Sequence, residues 1–219
     1  MSLKFLVVST LLSLVLAVNI SSQSCAQISY QGTSFESIAV AETDAGEEYS
    51  YIINNAEPVG SDGIYMFDET GSAPGYYSSA SVGVTHDSTL TSTGLHLIGK
   101  AYGYVSDDVG YAACSASSEA LGYVTFRLRS ARRVTISGVL SLSGTSQPQS
   151  FSNLFELRRS NGTLVTSSSG TGPIAYTGRL TAGTYTVYVG SQVLRQINGS
   201  GGDVYEGSTA SYDVTLTSR

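Results

Sequence analysis

His86, His96, Cys25 and Cys114 are the only imidazoles and thiols in the sequence. An enzyme needs a positioned nucleophile, base or metal, so few constellations can be built from this stock. His86 is followed by Asp87 just past an alternating stretch, where a turn is expected, and serines are abundant enough to complete a Ser/His/Asp set. No Gly-x-Ser-x-Gly elbow accompanies them. His96 stands among Leu95, Leu97 and Ile98 and reads as a hydrogen-bonded strand residue. Cys114, among Ala112, Ala113, Ser115 and Ala116, reads as a small buried hydrophobe. A zinc site would need all four of these residues, or three with a carboxylate, and so is nearly excluded.

Carboxylates are the next source of chemistry. The pairs Glu47/Glu48, Asp68/Glu69 and Asp107/Asp108 supply the residue types for glycoside hydrolysis. Strand neighbours point to opposite faces, however, so adjacent acids do not converge on one substrate. They read as solvated loop acids. Calcium takes several oxygens from loops, and Asp44, Glu47, Asp107 and Asp108 are its candidate ligands, in stretches that match no EF-hand. No other cofactor is expected.

Tyrosine is frequent (15) and tryptophan absent. Tyr65, Tyr76 and Tyr77 lie in a Gly/Asp-rich stretch, and Tyr102 and Tyr104 alternate on one strand. Exposed rings stack on sugars, which makes Tyr76 and Tyr77 candidate ligand contacts. The alternative is sheet packing with each hydroxyl reaching the surface. Missing tryptophan counts against a carbohydrate module.

Charge is divided along the chain. Residues 27–126 hold one cation and thirteen acids, and residues 127–219 hold nine arginines and four acids. Arg127, Arg129, Arg132 and Arg133, with Arg158 and Arg159, form a basic cluster. Two outcomes follow. The halves neutralise each other within one domain, or they make a polar particle whose acidic end meets a neighbour's basic end. The cluster suits an acidic polysaccharide or a phosphate-bearing surface. Nucleic acid is not expected, because the whole chain is acidic, with a pI near 4.8.

The elements that must position these groups are strands. Met1–Lys4, an apolar Phe5–Val18 and small residues up to Ala26 have the order of a secretory signal peptide. The apolar run is too short to span a membrane. Cleavage after Ala26 removes Cys25. Cleavage after Ala17 keeps it and permits a Cys25–Cys114 disulfide in an oxidising compartment. Beyond the signal, period-two alternation prevails. It places Val124, Phe126 and Leu128 on one face, with Tyr123, Thr125 and Arg127 on the other. It likewise groups Val134, Ile136, Leu140 and Leu142, then Tyr185, Val187 and Val189, then Tyr212, Val214 and Leu216. Gly138 within its strand suggests a bulge or a close backbone approach. Asn161-Gly162 is a hairpin turn signal. The sequons at Asn161 and Asn198 are better explained as turns. Small-residue strands at 81–85, 95–105 and 110–116 suit closely packed layers. The reading is one all-β domain over 27–219, an antiparallel, jelly-roll-like β-sandwich. Residues 27–78 read as a less regular extension, with a long loop from Gly60 to Tyr77.

From Tyr123 to Ser218 the strands follow a particular order. It runs Phe126-x-Leu128, Val134-Thr-Ile-Ser-Gly138, Phe155-x-Leu157 with Ser160-Asn-Gly-Thr-Leu-Val165, Leu180-x-Ala-Gly-Thr-Tyr-Thr-Val-x-Val189 and Ser211-Tyr-Asp-Val-Thr-Leu216. This resembles the β-sandwich of the bacterial pre-peptidase C-terminal type and related jelly-roll modules of secreted proteins. The resemblance implies an accessory that assists secretion or binds calcium or a polymer. Residues 27–122 do not read as a hydrolase domain. The expectation is therefore a secreted, extracellular or periplasmic, non-catalytic structural or interaction module of a bacterial surface or matrix. Its expected partners are an extracellular polysaccharide or further copies of itself. A polysaccharide- or calcium-binding accessory is the alternative, followed by a secreted hydrolase.

Overall fold

The computed structural model describes residues 28–43, 48–57, 63–75, 77–108, 113–145, 148–198 and 204–219. The signal segment with Cys25, the calcium candidates Asp44 and Glu47, and Tyr76 lie outside them. Twelve strands follow in chain order: β1 (Ile28–Thr43), β2 (Glu48–Glu57), β3 (Gly63–Pro74), β4 (Ser78–Thr91), β5 (Gly94–Asp107), β6 (Ala113–Leu128), β7 (Arg132–Gly144), β8 (Ser150–Arg159), β9 (Leu164–Ser169), β10 (Gly172–Leu180), β11 (Gly183–Asn198) and β12 (Val204–Ser218). Among the described residues there is no helix. The first sheet has the order β2-β1-β6-β11-β8-β9 and the second β10-β7-β12-β5-β4-β3, every pairing antiparallel. The two sheets make the expected β-sandwich.

Alternation makes the core. Val124, Phe126 and Leu128, then Val134, Ile136 and Leu140, then Tyr185, Val187 and Val189, then Tyr212, Val214 and Leu216 are all buried. Leu142 is half-buried, because β7 is leaving the core there. The small-residue stretch expected at 110–116, of which 110–112 lie outside the described residues, and the Tyr/Arg stretch that begins at Tyr123 belong to one strand. β6 runs unbroken for 16 residues, with Cys114, Ala116, Ser118, Ala120, Gly122 and Val124 all inward. Small side chains bring the sheets together, as expected. A Cβ on Gly103 of β5 would lie 3.1 Å from the Ala116 carbonyl oxygen of β6.

The N-terminal region departs from the sequence reading. Residues 28–43 form β1, an interior strand of the first sheet between β2 and β6, with Phe35 in the core. Most of the loop expected from Gly60 to Tyr77 is β3, an edge strand paired along β4. An edge strand needs no strong apolar alternation, and its Gly, Asp and Thr residues concealed it.

Polar groups tie the sheets across the core. Asn153 of β8 donates Nδ2–H to the Ser141 carbonyl of β7 at 2.9 Å and accepts from Ser191 Oγ of β11 at 2.7 Å. Ser118 Oγ of β6 donates to the Tyr102 carbonyl of β5 at 2.8 Å. The buried Arg195 of β11 donates to Ser208 Oγ at 2.9 Å and pairs with Glu206 at 2.8 Å, both on β12. These bonds satisfy groups whose burial would otherwise be costly, and they fix the stagger of one sheet on the other.

Candidate functional site

The strand registers decide where the charged side chains go. β6 ends beside the start of β11, so Arg127 is opposite Thr184. β8 ends on the other side of β11, with Arg158 opposite Thr186 and Arg159 opposite Tyr185. In the second sheet, β7 begins where β10 ends, with Arg132 opposite Leu180 and Arg133 opposite Arg179. Arg219 exchanges both backbone hydrogen bonds with Arg133. Arg129 lies in the β6–β7 turn. Eight of the nine arginines in the sequence therefore gather at one end of the sandwich. Sequence clustering anticipated six of them. Arg179 and Arg219 were missed because only the β10-β7-β12 pairing brings them there.

Two of the eight are committed. Arg158 grips Glu156 through Nε at 2.6 Å and Nη2 at 2.9 Å. The grip holds the Glu156 carboxyl below its usual range and raises the guanidinium above its own. Arg159 lies over the Tyr185 ring, 5.7 Å from its centroid, and donates to Tyr185 Oη at 3.3 Å and to Thr181. This clamps the crossing from β10 to β11. Arg127, Arg129, Arg133, Arg179 and Arg219 are exposed, and Arg132 is half-buried. None of these six belongs to an ion pair found among the described residues.

The acids Glu42, Asp107, Asp108 and Glu206 lie at the opposite end. A 16-residue strand spans about 50 Å at roughly 3.3 Å per residue. The screening length at physiological salt is only about 8 Å, so each end presents its own charge. The described acids are largely occupied. Glu206 pairs with Arg195, Asp108 accepts from Tyr205 Oη at 2.8 Å, and Glu42 accepts from Ser115 at 3.2 Å. Asp107 is fully buried, which corrects the expectation of a solvated loop acid. Asp107 and Asp108 thus do not face one ligand. Asp68 lies on β3, not in a turn, and is exposed. No group of three His, Cys, Asp or Glu capable of holding a metal is assembled among the described residues.

His86 is not in a turn. It lies within β4, 2% exposed. Its Nδ1 is 2.7 Å from Tyr212 Oη, with β5 between the two strands. The reach across β5 is possible because Gly99 sits there: a Cβ on Gly99 would come within 2.2 Å of the Tyr212 ring. Phe35 packs on the imidazole with ring centroids 5.3 Å apart. Burial drives the His86 pKa from 6.5 down to about 4, with the Glu36 backbone pulling the other way. Burial also pushes the Tyr212 phenol well above its usual range. His96 is on β5 as expected, its Nε2 2.8 Å from Asp213 Oδ1 at the surface. Cys114 is buried, as expected, and its thiol reaches the Ser106 carbonyl at 3.5 Å.

Of the candidate tyrosines, Tyr77 is 59% exposed between β3 and β4. A second aromatic patch was not singled out from the sequence. Tyr123 and Tyr188 are cross-strand partners on the outer face of the first sheet, with ring centroids 4.7 Å apart. Burial, then Tyr123, Glu119 and Glu156, push the Tyr188 phenol up to about 12. The signal was available, since both tyrosines fall on outward positions of their alternating strands.

No known protein family matches the chain, and no curated protein does. Among solved structures it is similar to the infectious bursal disease virus VP2 subviral particle, at 12% identity over 87% of this chain and 76% of that chain, with a TM-score of 0.20. It is also similar to infectious bursal disease virus Gx strain, at 13% identity over 90% and 62% of the two chains, with a TM-score of 0.19. Likeness of this degree carries no functional argument.

Proposed function

We propose that the chain is a secreted, non-catalytic interaction module of a bacterial cell surface or extracellular matrix, held to its surroundings by its arginine end. One observation carries this reading. Eight arginines are gathered at one end of a rigid sandwich, and six of them lack an ion-pair partner among the described residues. Like charges concentrated in this way repel one another, and an anionic partner relieves the repulsion. The signal-like N-terminus and the resemblance of residues 123–218 to accessory modules of secreted bacterial proteins support the extracellular setting.

The test is depletion of the purified chain from solution by insoluble polysaccharides and cell-wall preparations. Depletion should fall steeply with added salt, because exposed charges are screened. Depletion that is indifferent to salt, or none from any preparation, refutes the reading. The Tyr123–Tyr188 pair favours a second reading, in which rings stack on a neutral sugar. Binding would then survive high salt and fail in Tyr188→Ala.

A further inference from the structure

At the arginine end, the outer face of the second sheet is ordered in rows. Arg179 of β10, Arg133 of β7 and Arg219, just past the end of β12, stand side by side. The next outward row along the same strands is Thr177, Thr135 and Thr217. All six side chains are exposed. Directly opposed residues on neighbouring strands project to the same face. The strands are about 4.8 Å apart, and successive rows about 6.6 Å. An open depression of about 540 Å³, lined by Ala131, Arg133, Thr177, Gly178 and Arg179, lies over the paired β7 and β10. The nearest acid on this face of the three strands is Asp213, three rows away from Arg219 and engaged with His96.

Like charges set directly opposite destabilise a sheet, and nothing in these rows offsets them. Guanidinium groups recognise sulfate, phosphate and carboxylate through paired N–H donors, and threonine hydroxyls both donate and accept. A line of three cations backed by a line of three hydroxyls matches an extended polymer that carries anions and hydroxyls together. We infer that this Arg/Thr face is a binding site for a polysaccharide bearing sulfate, phosphate or carboxylate groups. The inference rests on the interaction-module reading and names its partner. The described acids at the opposite end offer a second copy little, because Glu206, Asp108 and Glu42 are already hydrogen-bonded and Asp107 is buried.

The experiment measures binding of the purified chain to immobilised dextran sulfate, with neutral dextran as the comparison. Binding is expected to the sulfated polymer alone, weakening steeply with salt. Arg133→Gln with Arg179→Gln should weaken it by at least about tenfold and flatten its logarithmic salt dependence by roughly one unit per arginine removed. Thr135→Val with Thr177→Val should weaken binding and leave the salt slope unchanged. Unaltered melting temperatures establish that the variants fold. Arg127→Gln with Arg129→Gln removes the same charge outside the row and should cost much less. An equal loss from that pair means diffuse charge attraction and overturns the site. Equal binding to both dextrans overturns it too, as does salt-sensitive sedimentation of the chain alone that disappears in Arg133→Gln/Arg179→Gln. If dextran sulfate fails and cell-wall material still depletes the chain, this partner is wrong and the interaction-module reading stands. If neither binds, both fail.

Discussion

Acid should destabilise this protein markedly through one buried imidazole. His86 is 2% exposed and packed between Phe35 and Tyr212. Its pKa is lowered from 6.5 to about 4 by burial. The unfolded chain therefore takes up the proton before the folded one does. Stability is intact above about pH 6.5, falls as the pH drops towards 4, and levels off below that as far as His86 is concerned. One pKa unit corresponds to about 1.4 kcal/mol, so the gap between the two states is worth about 3 kcal/mol by pH 4. Protonation also turns Nδ1 into an obligate donor, and the Tyr212 hydroxyl, 2.7 Å away, must then present a lone pair to it. Urea unfolding at a series of pH values between about 7.5 and 4 gives the size of the effect. His86→Gln keeps a polar partner for Tyr212 and removes the titration, so its stability profile should be flatter by about 3 kcal/mol over that window. Parallel profiles for the two proteins would refute the reasoning. So would an imidazole NMR signal of His86 that titrates near its ordinary value in the folded protein.

Three further outcomes follow from the packing. Asn153→Ala leaves the Ser141 carbonyl without its donor from the other sheet and the Ser191 hydroxyl without its partner on the neighbouring strand, and should cost about 2–3 kcal/mol in urea unfolding. Gly138→Ala places a methyl carbon 2.2 Å from the Asp213 carbonyl oxygen. That contact is with backbone, so the melting temperature should drop by the equivalent of about 3 kcal/mol. Cys114 is 3% exposed, so its thiol should react with an aromatic disulfide reagent only at the rate of opening, and rapidly once urea is added.

How much of this was legible beforehand depends on the number of faces each strand buries. β6, β7, β11 and β12 have one face in the core and one in water, and their alternation gave the correct inward residues. The glycine within β7 marked a close approach, and Gly138 does lie against the backbone of β12. β3 was unreadable because an edge strand buries little, and its Gly and Asp residues are those of a turn. His86 was misplaced for a related reason. β4 places Ser88, a small polar residue, inward beside His86, so the apolar alternation breaks off after Val84 although the strand continues to Thr91. Local pattern gives the face that a residue occupies. It does not give the neighbour on the next strand, which depends on pairing between segments far apart in the chain. Arg133 and Arg179 illustrate this, as 46 residues separate two side chains that stand in register.

The charge division of the sequence becomes a division between ends because of where the arginines fall on their strands. β6, β8 and β10 each carry theirs near the C-terminal end, and β7 carries them at its N-terminal end. In an antiparallel sheet these are the same end, so the basic half of the chain delivers its charge to one place. Separate charges spread over the length of the strands would have been neutral in effect and easier to fold. Opposed like charges cost about 0.2–1 kcal/mol per pair. The end that bears this cost is also held by the Arg159 clamp over Tyr185, the Arg158–Glu156 grip and the reciprocal backbone bonds between Arg133 and Arg219. The repulsion is thus built into a part of the fold whose backbone is fixed. Arg133→Gln should on this argument leave the melting temperature unchanged or raise it slightly. A clear fall would mean that the arginine stabilises the fold itself, and the reason for reading its row as a binding surface would be gone.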